Sequence, residues 1–124
     1  MKGNIAQKEK GFKGLLAWQK AYSLTLDIYK VTKKFPRMEV YGLGSQLQHA
    51  AVSIPANIAE GYERSHRKEY VQFLYISTGS LGEVETHLMI AKDLGYLSES
   101  DYSALEEKRS ETTRLLSGLI RSLS

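Results

Sequence analysis

Residues 67–94 read RKEYVQFLYISTGSLGEVETHLMIAKDL, and the spacing of their apolar side chains decides the fold. Tyr70, Leu74, Ser77, Leu81, Val84, Leu88 and Ala91 follow one another at steps of four and three, with Ser77 the polar exception. Such steps return to one face of an α-helix, whereas a strand alternates at two. No proline interrupts residues 56–124, so this pattern predicts an unbroken helix over 67–94.

Working outward, three more segments carry the same signature. Ala17, Ala21, Leu24, Ile28, Val31 and Phe35 form a stripe before it, as do Leu43, Leu47, Ala50, Ile54, Asn57 and Gly61. Tyr102, Leu105, Arg109, Thr112, Leu116, Leu119 and Leu123 form a looser one after it. The expected helices are 15–35, 39–62, 67–94 and 99–122. A period near 3.5 residues is that of left-handed bundles crossing at about 20°. The connections, roughly Pro36–Gly42, Glu63–His66 and Gly95–Ser98, are short, which forces antiparallel neighbours. The fold class is therefore all-α, an antiparallel up-down-up-down four-helix bundle over residues 15–124. A basic, flexible N-terminal segment, residues 1–14, precedes it.

The punctuation agrees. Pro36 stops the first helix after Phe35. Ser65 is placed to cap the third helix and Gly95 to end it. Ser98 followed by Asp101 resembles a capping box. Pro55 lies inside the second stripe and has no N–H for the carbonyl of Ala51, so the second helix is expected to kink there while continuing in phase through Ile58. Asn57, on the same stripe, reads as a mostly buried polar group that fixes register, with Ser77 and Ser80 as its expected partners. Gly79, Ser80 and Gly82 sit inside the third helix, where each glycine costs about 1 kcal/mol against alanine. Close approach of another helix is the expected reason, and a ligand cleft the alternative.

Composition narrows the function classes. With 124 residues, 42% hydrophobic and 25% charged, the chain suits one domain with one core. It has no cysteine, which removes disulfides and thiolate metal sites. The first residues lack the apolar run of a secretory signal, and no stretch approaches the roughly 20 apolar residues of a membrane span. A cytoplasmic location without membrane contact is the expectation. His49, His66 and His87 do not form the Glu-x-x-His pattern of a di-metal bundle, and no phosphate loop or nucleophile elbow appears. Glu83 and His87, four apart, read as a surface pair. No cofactor and no enzyme activity are expected.

The net charge of +3 is unevenly spread. Residues 1–40 hold nine basic and three acidic residues, and residues 41–124 hold eight and eleven. Up-down topology would gather Lys8, Lys10, Lys13, Arg64, Arg67, Lys68 and Arg121 at one pole, against Glu9, Glu60, Glu63 and Glu69, leaving +3. The opposite pole, with Lys30, Lys33, Lys34, Arg37 and Lys92 against four acids, is left with +1. These seven cations are the candidate nucleic-acid-binding residues, with Tyr62 nearby for stacking, and single-stranded RNA the expected form. A solvated charged surface explains the same residues. On the first helix, Trp18, Tyr22 and Tyr29 widen the apolar arc, and Leu16 and Leu26 lie beyond it. These five either edge the core or form a subunit interface in a homo-oligomer.

Four phrases carry a resemblance: Ser53-Ile-Pro-Ala-Asn-Ile-Ala-Glu-Gly61, Trp18-Gln-Lys-Ala21, Tyr41-Gly-Leu43 and Gly79-Ser-Leu81-x-Glu83. In that order they resemble the four-helix-bundle family encoded in intervening sequences of bacterial 23S ribosomal RNA genes, from about Phe12 to the C-terminus. The resemblance implies an all-α bundle, five subunits, a bacterial cytosolic setting and no enzyme activity. It also implies an RNA-associated or structural role. A distant, more basic branch accompanies the reverse transcriptase of diversity-generating retroelements, which makes a protein-interaction scaffold the alternative. The family commonly has arginine just before the Ala-Ala-x-Ser-Ile-Pro run, where this chain has Gln48 and His49. Any phosphate contact those arginines make in relatives is absent here.

Overall fold

The computed structural model describes residues 11–124, and among them there are four α-helices, two short 3-10 turns and no strand. Helix α1 spans Leu16–Thr32, α2 Leu43–Tyr62, α3 Arg67–Asp93 and α4 Glu99–Ser122. One core runs through all four. Leu24, Ile28, Leu47, Ile54, Ile58, Leu74, Leu81, Leu88 and Leu116 are fully enclosed in it. All but Ile58, which lies beside Asn57, are stripe positions, so the period that makes each helix also decides which face it buries.

Side-chain pairs show how the helices sit. Between α1 and α4, Lys20 meets Glu111, Asp27 meets Lys108 and Lys34 meets Asp101, so residue numbers fall on one helix as they rise on the other. Between α2 and α3, the backbone of Gly61 lies against Tyr70 and Phe73, Ile54 meets Ser77, and Ser53 meets Ser80. Between α3 and α4, Glu85 meets Arg109 and Lys92 lies over the ring of Tyr102. Helix α1 reaches α2 through Thr25 with Ala51 and Thr32 with Gln48.

Helix α1 ends three residues before Phe35. Its last turn tightens, with Lys34 N–H donating to Val31 O and Phe35 N–H to Thr32 O, because Pro36 bars Phe35 from helical geometry. Phe35 nevertheless stays buried, against Tyr96. Helix α2 begins at Leu43 rather than at residue 39. Residues Arg37–Glu39 form a 3-10 turn, and the Glu39 carboxylate folds back to accept the Leu43 N–H at 2.9 Å and the Tyr96 hydroxyl at 2.9 Å. A Cβ on Gly42 would stand 2.6 Å from Glu39 Oε1, and one on Gly44 2.9 Å from Glu39 O. The two glycines let that acid cap the helix.

Helix α3 starts without the expected cap. His66, not Ser65, occupies the capping position, and no side chain bonds there. Its far end closes on Gly95, at φ +82°, with Tyr96 N–H reaching Ala91 O and Gly95 N–H reaching Lys92 O. Ser98 caps α4 by accepting the Asp101 N–H at 3.0 Å, while the Asp101 carboxylate turns to Lys34. Gly11–Gly14, expected in the flexible segment, form a 3-10 turn whose Phe12 ring tilts against Trp18.

Helix α2 runs unbroken through the buried Pro55. The carbonyl of Ala51, which Pro55 cannot serve, accepts from Thr25 Oγ1 at 3.1 Å; that hydroxyl is also 2.8 Å from Ala21 O. Ser77 Oγ donates to Ile54 O at 2.9 Å. Asn57 is half-buried rather than enclosed, and its amide donates to Ser53 O at 2.8 Å and to Ser53 Oγ, not to Ser77 or Ser80. An asparagine can satisfy its amide on its own helix one turn back, which leaves Ser53 to make the link to Ser80. Gly61 fits its neighbour closely: a Cβ there would lie 2.8 Å from Phe73 Cβ and 3.0 Å from Tyr70 O. Gly79 and Gly82 do not admit a helix of this chain. A Cβ at either would meet nothing within 4 Å, because both face away from the core stripe.

A basic pole as candidate nucleic-acid interface

Contacts bring four helix ends together. Leu15, Leu16 and Ala17 line one hollow with Leu115 and Leu119, which sets the start of α1 beside the end of α4. Arg67 and Lys68 line another with Leu123 and Ser124, which sets the start of α3 beside the end of α4. Gly61 against Phe73 adds the end of α2.

The candidate cations at this pole are not equivalent. Lys8 and Lys10 lie outside the described residues. Arg64 is engaged, with its guanidinium 2.6 Å from Glu60 and 4.8 Å from the centre of the Phe73 ring. Lys13, Arg67, Lys68 and Arg121 are exposed, and among the described residues none of them has a carboxylate within 4.0 Å. At the opposite pole, Lys34 pairs with Asp101 and Lys92 sits on Tyr102, while Lys30, Lys33 and Arg37 are exposed with no carboxylate within 4.0 Å among the described residues. Both poles therefore keep cations available for an outside anion, four at the first and three at the second.

Tyr62, the expected stacking residue, meets Tyr70 edge-on at 6.0 Å. Sequence reasoning passed over a better placed aromatic. Tyr75 is 59% exposed and, with Arg67, Lys68, Val71, Gln72, Leu123 and Ser124, bounds an open hollow of about 530 Å³. The available signal was its phase, since Tyr75 falls outside the buried stripe of its helix.

The candidate interface residues divide. Trp18 is half-buried against the core, stacked on Tyr22 at 5.0 Å, whereas Leu16, Tyr22, Leu26 and Tyr29 are exposed. Helix α3 carries a second apolar face around its open glycines, formed by Ile76, Met89 and Ile90. Gln48 donates to Thr32 Oγ1 at 2.9 Å. The Nδ1 of His87 is buried without a hydrogen-bond partner, so the expected surface pairing with Glu83 is not made through that atom. Among the described residues no group of three His, Cys, Asp or Glu could hold a metal, and no helix is long and apolar enough to cross a membrane.

One buried charge is compensated inside the protein. Arg109, on the α4 stripe, is 9% exposed and holds Glu106 with both Nε and Nη2, at 2.8 and 2.6 Å, while Glu85 stands 3.4 Å away. The hydrogen bond to Glu106 raises its pKa further above the ordinary arginine value.

Four helices around one core, with an exposed basic pole, define the class as an all-α, four-helix protein. The chain belongs to the 23S rRNA-intervening sequence protein family, whose model matches residues 13–118. In fold it is similar to the crystal structure of a protein with unknown function from the S23 ribosomal protein family of Bacteroides thetaiotaomicron. The TM-score is 0.76 at 21% identity, covering 85% of this chain and 98% of that one. No curated protein matches it in sequence.

Proposed function

We propose that this chain is a non-enzymatic, cytoplasmic, self-associating bundle that presents its basic pole to RNA. The observation that carries the reading is the exposed pair Arg67 and Lys68 beside Lys13 and Arg121, none of the four with a carboxylate within 4.0 Å among the described residues. Helices that alternate up-down-up-down, with α2 bending at Pro55, would set these ends side by side. The falling and rising residue pairs between neighbouring helices support that arrangement. Self-association is supported by two exposed apolar faces, one on α1 and one on α3. The family resemblance suggests five subunits. A ring would repeat the pole on one side, and phosphate contacts accumulate through counterion release.

The test has two parts. Light scattering at micromolar concentration is expected to give a multiple of 14.0 kDa, and a clean monomer overturns the assembly. A labelled single-stranded RNA, titrated at two salt concentrations, is expected to bind the Arg64/Arg67/Lys68→Ala variant more weakly and with a shallower salt slope. Equal affinity and slope remove this pole as the site.

The α3 face favours a second reading, a scaffold for another protein such as a reverse transcriptase. Gly79 and Gly82 leave a smooth strip between Ile76 and Met89 on which a partner's helix could lie close. Co-purification from the native source separates the two, since RNA in the isolated assembly supports the first and a stoichiometric second protein the other.

A further inference from the structure

We infer that the hollow between the start of α3 and the end of α4 seats one unpaired nucleotide, with its base on Tyr75 and its phosphates on Arg67 and Lys68. This rests on the RNA reading of the pole and makes it specific. Arg67, Lys68, Val71, Gln72 and Tyr75 recur at helical spacing on one side of α3, so they line a single trough about 12 Å long. The cations stand at its outer end, the aromatic at its inner end, and Val71 and Leu123 supply an apolar floor.

That arrangement matches a ligand that is flat and apolar at one end and anionic at the other. The volume, about 530 Å³, lies within the range of small-ligand sites. The trough is also unoccupied by any other described residue. Tyr75, like Tyr29, Tyr41, Phe73 and Tyr102, has no ring partner among the described residues, and of these it is the one that stands beside Arg67 and Lys68 in a hollow. Every base has a π-face, so a tyrosine platform takes any of them. Gln72 carries both a donor and an acceptor, and serves any base edge without selecting one. A peptide of acidic residues alone would satisfy the cations but has no ring for Tyr75, and duplex RNA would keep its bases stacked away from the trough.

The experiment titrates a labelled single-stranded RNA, at two salt concentrations, against wild type, Tyr75→Ala, Tyr75→Phe and Arg67→Ala/Lys68→Ala. Far-UV circular dichroism checks each variant's helix content. Tyr75→Ala is expected to weaken binding about tenfold or more with the salt slope unchanged, and Tyr75→Phe to restore it. Arg67→Ala/Lys68→Ala is expected to flatten the salt slope by about one to two units. Poly-glutamate, added as competitor, is expected to compete without sensitivity to Tyr75. If wild type binds RNA and the cation variant weakens it while Tyr75→Ala does not, the nucleotide seat is overturned and the basic pole stands. If wild type binds no RNA, both fall. If poly-glutamate binding depends on Tyr75 as strongly as RNA binding does, the site is for peptide and the inference is overturned.

Discussion

Thr25 of α1 donates its hydroxyl to the carbonyl oxygen of Ala51 in α2, the acceptor that Pro55 leaves without its helical N–H. A defect that proline creates in one helix is thus met by a side chain of the next. The same helix face gives Ile54 O to Ser77 and Ser53 to Ser80, so the most distinctive phrase of the sequence is taken up by packing.

Thr25→Val keeps the shape and removes the donor, so it is expected to destabilise the fold by about 1–3 kcal/mol. In a Pro55→Ala background, residue 55 supplies the missing N–H and the same substitution is expected to cost clearly less. Urea unfolding of the four proteins in this cycle measures the coupling, and additive losses would mean that Thr25 is not serving Ala51.

The glycines should respond with opposite signs. Gly61→Ala drives a methyl against Phe73 Cβ and Tyr70 O, and is expected to lose about 1–2 kcal/mol net of the helix-propensity gain. Gly79→Ala and Gly82→Ala meet nothing and are expected to gain about 0.5–1 kcal/mol each. If the α3 face packs on a second copy, the gain turns into weaker assembly, read by light scattering alongside thermal unfolding.

Acid should loosen the entry to α2. The Leu43 N–H, then the Tyr96 hydroxyl, hold the Glu39 carboxyl below its usual value of 4.5. A lowered folded pKa contributes stability that is complete above the ordinary glutamate range and is lost as pH falls through the folded value. Glu39→Gln is therefore expected to flatten the acid limb of the stability profile below about pH 4.5. An unchanged acid limb would show that Glu39 carries no such linkage.

Arg109→Ala strips a partner from Glu106 and opens a void beside it. The expected loss is about 1–3 kcal/mol, limited because Glu106 and Glu85 still reach water. Arg109→Met with Glu106→Gln keeps the volume and removes both charges, and is expected to recover most of it. Chemical denaturation decides, and equal losses in the two variants would assign the effect to shape alone.

Much of this architecture could be read from periodicity. The stripes placed Leu24, Leu47, Leu81 and Leu116 in one core, and the chemistry of glycine and serine placed the Gly95 stop and the Ser98 cap. The end of α1 is set locally, by Pro36 acting back on Phe35, whereas the start of α2 was less legible because it depends on a contact distant in sequence. The cap on α2 is a glutamate four residues before the helix, held by Tyr96, and no local rule finds it. Asn57 was assigned across the bundle because its phase is inward, but a bond one turn back satisfied it first. The Tyr75 trough was missed although short loops put the start of α3 and the end of α4 at one pole, because which exposed side chains of the two ends line one hollow depends on their packing.

Three of the four helix pairings join segments adjacent along the chain, while α1 with α4 joins its two halves. The bonds from Lys108 to Ser23 and Asp27 span 85 and 81 residues. Closing so large a loop costs more chain entropy than closing a hairpin, so this seam carries most of the long-range closure cost of the fold. It is also fastened by lysine–carboxylate pairs that salt weakens. Ionic strength is therefore expected to act on this fold first where its two halves meet, at the α1–α4 seam.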